Sequence, residues 1–205
     1  MDGYRTIPKE GTAEFTEQRS RFIGCCRPVT GEEEALRFIA ARKKQYWDAS
    51  HNVYAYALRE GGIRRFSDDG EPQGTAGLPV LDVLKDTMDC CVVVTRYFGG
   101  ILLGTGGLVR AYSKGARLAL EAAGTVWMRE CSCCRLRCGY AFYGRTGALL
   151  AAAGAVLDDT VFEEEVTLLF HLPADGLEAL QQTVTEESAG TLFVEEVEKR
   201  LMPLQ

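Results

Sequence analysis

The chain has no apolar run of the roughly 18–20 residues that a membrane helix needs. Its opening, MDGYRTIPKEG, has no apolar core and no basic lead. A membrane span and a secretory signal are therefore not expected, and the expected location is the cytoplasm. Histidine occurs only twice, at His51 and His171. A G-x-S-x-G nucleophile motif is missing. So are the lysine of a phosphate-binding P-loop, the third glycine of a dinucleotide fold and the regular acidic spacing of an EF-hand. The sequence thus lacks a catalytic centre of a familiar type, and neither a cofactor nor a metal is expected.

What is present is ordinary for a globular protein: 46% hydrophobic and 25% charged residues in a chain of 205. That length suits one or two domains. The net charge of −6 is unevenly spread. Residues 1–130 carry 18 Lys and Arg against 17 Asp and Glu, a net of +1. Residues 131–205 carry 5 against 12, a net of −7. Phosphate neutralisation supplies most nucleic-acid affinity, so only the first part suits such a partner. The eight cysteines make up about 4% of the chain, below the ~8–10% of disulfide scaffolds. Three doublets, Cys25-Cys26, Cys90-Cys91 and Cys133-Cys134, fall in strand-like runs. Neighbouring strand residues point to opposite faces, so reduced, mostly buried thiols are expected.

Patterning predicts strands over 12–19 and 22–29, then a helix opened by Glu32, Glu33 and Glu34 and closed by Arg42, Lys43 and Lys44. Its buried stripe is expected at Leu36, Ile39 and Ala40. A hairpin over 52–58 and 63–66 follows, then an acidic loop over 68–74 and a helix over 75–85. A fully buried strand spans 90–98. A glycine loop then leads into a helix over 108–123 whose residues Leu108, Ala111, Tyr112, Gly115, Ala116 and Ala119 form one face. The boundary is placed within 124–130, giving domains 1–129 and 130–205. The second domain reads as strand 131–143, helix 145–153, strands 154–159 and 161–172, helix 174–188 and strand 190–198. That order, β-α-β-β-α-β, is the ferredoxin-like unit.

Four constellations could carry chemistry. The first is the glycine loop, with Gly99, Gly100, Gly104, Gly106 and Gly107. A following helix N-terminus offers free N–H groups to an anion. Arg110, Lys114 and Arg117 recur at i, i+4 and i+7, and Arg96 ends the preceding strand. The structural alternative is a loop whose glycines only serve a tight turn. The second is Asp68, Asp69 and Glu71, oxygen ligands on a glycine-containing loop; the alternative is a turn plus an acidic cap for the next helix. The third is His51, three residues after Asp48, with no nucleophile marked; the alternative is a strand-start histidine with structural hydrogen bonds. The fourth is the cysteine cluster 131–138. Cys131 and Cys133 would face one side of a strand and Cys134 and Cys138 the other, which defeats tetrahedral zinc.

Several stretches resemble the IMPACT/YigZ family: Ser20-Arg21-Phe22-Ile23, Asp48-Ala49-Ser50-His51-Asn52, Asp68-Asp69-Gly70-Glu71-Pro72-Gln73-Gly74, Val94-Thr95-Arg96-Tyr97-Phe98-Gly99-Gly100, and Gly104-Thr105-Gly106-Gly107-Leu108. The resemblance covers about residues 15–125. It implies an α+β chain with a first domain like the second domain of a small-subunit ribosomal protein and domain four of elongation factor G. The second, ferredoxin-like domain would resemble that factor's last domain. It further implies translational control through partners, as in the eukaryotic relative.

Two functions follow. The first is a translation-associated regulatory binding protein. It would contact RNA, the ribosome or a protein through the N-terminal domain, and a protein partner through the acidic C-terminal domain. The alternative is an enzyme acting on a phosphorylated small molecule or nucleotide at the glycine loop. The non-enzymatic reading is preferred, because fold transfers more readily than activity.

Overall fold

The computed structural model describes residues 3–204 and is mixed α+β, with two sheets and five α-helices among them. The chain divides into two compact units, Tyr4–Trp127 and Met128–Leu204.

The first unit runs β1 (Tyr4–Thr6), β2 (Gly11–Glu17), β3 (Ser20–Pro28), α1 (Glu32–Gln45), β4 (His51–Ala57), β5 (Arg64–Ser67), α2 (Gly77–Val83), β6 (Cys90–Tyr97) and α3 (Gly104–Ala123). Its sheet has the order β2-β3-β6-β4-β5 and is antiparallel throughout. The valine-rich β6 sits at the centre because both its faces are covered. On one face Phe22, Cys26, Val92 and Val94 pack with Tyr112 and Ala116 of α3. On the other, Cys25, Cys91 and Val93 pack with Phe38 and Ile39 of α1. Each of these cysteine doublets is therefore split across the sheet, as strand alternation requires. Burial pushes the Cys26 thiol up to about 12 and raises those of Cys90 and Cys91 as well. These thiols stay protonated at neutral pH and act as small hydrophobes.

Two helices differ from expectation. In α1 the buried residues are Ala35, Phe38, Ile39 and Arg42, whereas Leu36 is 49% exposed and Ala40 also faces outward. The stripe rotates because it includes Phe38, the largest apolar side chain of the helix. The second difference is at α3, which starts at Gly104 rather than 108. Gly104, Gly106 and Gly107 are thus its first turn, not a loop before it. Glycine disfavours helix, but the packed face from Leu108 onward supplies the stability.

The second unit contains β7 (Val126–Cys138), α4 (Tyr140–Ala152), β8 (Val156–Phe162), β9 (Val166–Pro173), α5 (Leu177–Glu187) and β10 (Val194–Leu204). β9 pairs antiparallel with both β7 and β8, and β10 pairs with β7. Leu136, Leu168, Phe170 and Leu172 form the buried sheet face under Leu150, Leu180 and Val184. Cys134 and Cys138 join that face, while Cys133 lies half-buried on the other. The strand expected to reach 143 stops at Cys138, and α4 begins two residues later. Phe142 and Tyr143 read locally as strand, but they pack on this core from the helix. Among the described residues no helix is long and apolar enough to cross a membrane.

Candidate functional site

The ends of β4 and β6 meet in register, with His51 opposite Arg96. The loop that follows β5 folds back over them and brings in Glu71. Three polar groups then converge on one carboxylate oxygen. Glu71 Oε1 accepts from Arg96 Nη1 at 2.6 Å and from the Tyr112 hydroxyl at 2.7 Å. His51 Nε2 stands 3.7 Å away. Glu71 is 8% exposed and Arg96 5%. A buried ion pair is tolerated only when its remaining valences are met. Arg96 Nη2 donates to Ser20 Oγ at 3.3 Å, and its guanidinium lies between the rings of Phe22 and Phe98 at 5.5 and 5.4 Å. Its Nε has no acceptor. Burial, and its hydrogen bond to Glu71, raise the Tyr112 hydroxyl far above the ordinary tyrosine range, so it remains a donor.

His51 is oriented by main chain. Its Nδ1 lies 2.9 Å from the Asp69 carbonyl. A carbonyl only accepts, so Nδ1 carries the proton. That orientation turns Nε2 toward Glu71. The two aspartates do not join it. Asp68 accepts the amides of Gly74, Ala76 and Gly77 at 2.9, 3.1 and 2.8 Å. Asp69 is held by Lys43 Nζ at 2.5 Å and the Asn52 amide at 2.6 Å. Both carboxylates tie the loop in place, which is the structural alternative for the acidic cluster, and only Glu71 faces the site.

A cavity of about 510 Å³ opens above this floor. Ser50, His51, Glu71 and Arg96 are among its lining residues, although nearly all of the surface it exposes is apolar. Pro72, Phe98, Leu102, Leu103 and Leu108 form apolar walls, and Gly104 and Thr105 of α3 complete it. No side chain caps α3, and the amides of Gly104, Thr105 and Gly106 donate to no acceptor among the described hydrogen bonds. Gly104 has φ +69°, a conformation open to glycine with little strain. Gly99 has a different reason to be glycine. A Cβ there would sit 2.0 Å from the Arg19 carbonyl oxygen. It also donates its amide to Ser20 Oγ at 3.2 Å. Gly99 and Gly100, expected to take part in anion binding, line neither the cavity nor the groove described next.

The basic stripe lies on the other side of Leu103. Arg110, Lys114 and Arg117 are exposed and line a second groove of about 320 Å³ with Gly107, Glu17 and Gln18. None of the three pairs with a carboxylate among the described ion pairs. Lys114 Nζ rests 4.4 Å over the Phe15 ring. Arg96, expected to belong to this stripe, is instead buried and spent on Glu71. Sequence reasoning also missed Ser20, Tyr112 and Phe98. Their signal was present: Ser20 and Phe98 lie inside the quoted motifs, and Tyr112 is the one polar residue on the buried face of α3.

Comparison with known proteins places these residues in context. The profile of the Impact N-terminal domain matches residues 18–120, and that of a domain of unknown function, DUF1949, matches 136–191. The chain is 37% identical to the IMPACT family member YvyE of Bacillus subtilis, over 97% of this chain and 93% of that one. It is 34% identical to the IMPACT family member YigZ of Escherichia coli, over 89% and 92%. Protein IMPACT of Rattus norvegicus shares 32% identity over 45% of this chain and 31% of its own. A crystal structure of a hypothetical protein, 32% identical, superposes with a TM-score of 0.60 over 97% of this chain and 98% of that chain.

Proposed function

Since the chain belongs to the IMPACT family, we propose that it is a translation-associated regulatory binding protein whose first unit contacts RNA on the ribosome. The observation that carries this is the stripe of Arg110, Lys114 and Arg117: three exposed cations without carboxylate partners along one groove. Such a stripe attracts a polyanion by releasing its counterions. The second unit, whose charge is strongly negative, offers no such surface and is assigned to a protein partner. The spatial order β10-β7-β9-β8 supports the ferredoxin-like reading of the second unit. The family resemblance implies a first unit like domain four of elongation factor G, which would act at the ribosome, in the cytoplasm.

Co-sedimentation with ribosomes tests the proposal. Retention is expected at low salt, with loss at high salt, and a smaller salt slope in Arg110→Glu. Retention that is independent of salt and of all three reversals, Arg110→Glu, Lys114→Glu and Arg117→Glu, overturns it.

The enzyme reading has one observation in its favour, His51 beside Glu71 at the cavity. It would act there on a phosphorylated small molecule. Asp68 and Asp69 are already occupied, so His51 and Glu71 are the groups left to it.

A further inference from the structure

The sheet of the second unit ends at β8, which pairs with β9 and with no other strand among the described residues. The outer main-chain groups of such a strand are a template for a further strand, and edges are commonly guarded by lysine or proline. β10, which pairs only with β7, carries Lys199, Arg200 and Pro203. β8 has no lysine, arginine or proline. It is seven residues long, and every one except Thr160 is exposed. A bulge lies between Leu157 and Asp159, and residues 159–162 beyond it pair in regular register. Apolar side chains stand on both faces. Directly paired residues share a face, so Leu157 and Phe162 lie on the helix side with Phe170 and Val166, and Val161 on the open side with Thr167. Leu157 and Phe162 are 50% and 56% exposed. Tyr140 of α4, whose ring lies 6.5 Å from that of Phe162, is exposed as well.

The charge around this edge has one sign. Between Arg145 and Lys199 there is no lysine or arginine, against twelve aspartates and glutamates. Asp158 pairs with His171, whereas Asp159, Glu163, Glu164 and Glu165 meet no cation among the described ion pairs. Resting on the assignment of a protein partner to the second unit, we propose that β8 receives an extended, cationic segment of that partner as an added strand. Main-chain hydrogen bonds hold the segment, its apolar side chains cover Leu157, Phe162 and Tyr140, and its lysines or arginines meet the free carboxylates. The Thr160 amide donates to Asp159 Oδ1 at 2.8 Å, a contact between neighbours that a partner carbonyl replaces. A second copy of this chain does not fit the edge, because it would bring two uncompensated carboxylate clusters side by side. The basic groove of the first unit takes no part.

The test is an amide NMR titration of the full chain with an acetylated, amidated peptide that alternates lysine with valine. The comparison arms are a glutamate–valine peptide and the fully N-methylated lysine–valine peptide, which keeps the charge and loses every main-chain donor. Saturable shifts are expected at Asp159, Thr160, Val161 and Phe162, with slowed amide exchange there. Binding should be at least about tenfold weaker in both comparison arms. Phe162→Lys should weaken the lysine–valine peptide by a similar factor. Phe162 also packs on Tyr143, so the paired reversal Glu163→Lys with Glu164→Lys, at exposed positions, supplies a second variant. It should weaken binding several-fold and leave the rest of the spectrum unchanged. Equal affinity of the N-methylated peptide, shifts confined to β10, self-association of the free chain through β8, or no saturable shift overturns the proposal. Equal binding of the two lysine peptides removes strand addition but keeps a cationic partner for the second unit; no binding by either removes both. The ribosome experiment can fail or succeed regardless of these outcomes.

Discussion

The two units treat charge differently. Every buried charged side chain among the described residues, namely Arg42, Glu71 and Arg96, lies in the first unit. The buried polar groups of the second unit are neutral: Ser132, Thr146 and Ser188. Its ion pairs, such as Arg135 with Glu195 and Arg129 with Asp175, stay at the surface. Desolvating a charge costs several kcal/mol per ion even after relaxation. The second unit avoids that cost with an apolar core under a one-sided sheet. The first unit accepts it in two places, at Arg42 of α1 and at the Glu71–Arg96 pair beneath the cavity. Stability alone does not explain the pair, since well-packed apolar residues would stabilise at least as well.

Mutations can break or sharpen this contrast. The largest effect is expected from Glu71→Ala, which leaves Arg96 buried and unpaired and should cost about 3–5 kcal/mol in urea unfolding. The paired change Glu71→Leu with Arg96→Met should recover most of that loss. If Glu71→Ala costs less than about 1 kcal/mol, the buried pair is not the strained element of the fold. A middle effect is expected at Gly99→Ala, where the added Cβ collides with main chain rather than with a flexible side chain. The overpacking should cost about 1–3 kcal/mol, read as a lowered melting temperature. The smallest is expected in the second unit. Arg135 bonds both oxygens of Glu195, but 35% and 59% of the two side chains are exposed. Arg135→Ala should therefore change stability by less than about 1 kcal/mol. A loss comparable to that of Glu71→Ala would erase the distinction between the units.

Much of the fold was legible because it rests on local periodicity. The central position of β6 followed from its unbroken valine run, the face of α3 from its 3.6-residue spacing, and the split cysteine doublets from strand alternation. Helix limits were less legible. The first turn of α3 reads as loop because glycine is a poor helix former, and Leu36 reads as core because its type and spacing fit a stripe one residue away from the real one. The site was half legible. His51, Glu71, Gly104 and the Arg110 stripe were identifiable as residue types in suggestive places. Nothing local distinguished Glu71, which faces the cavity, from Asp68 and Asp69, which hold the loop.

The amino-acid order alone settled the succession of elements, the opposite facing of paired cysteines and the uneven distribution of charge, because each depends on neighbours within a few residues. The folded chain decided what became of Arg96. Its guanidinium meets a carboxylate 25 residues away and a hydroxyl 76 residues away, contacts that exist only after β3, β4 and β6 have paired and α3 has packed on them. Whether a cation ends on the surface or beneath it is set by that long-range assembly, since the cost of burying it can be met only by partners brought from elsewhere in the chain.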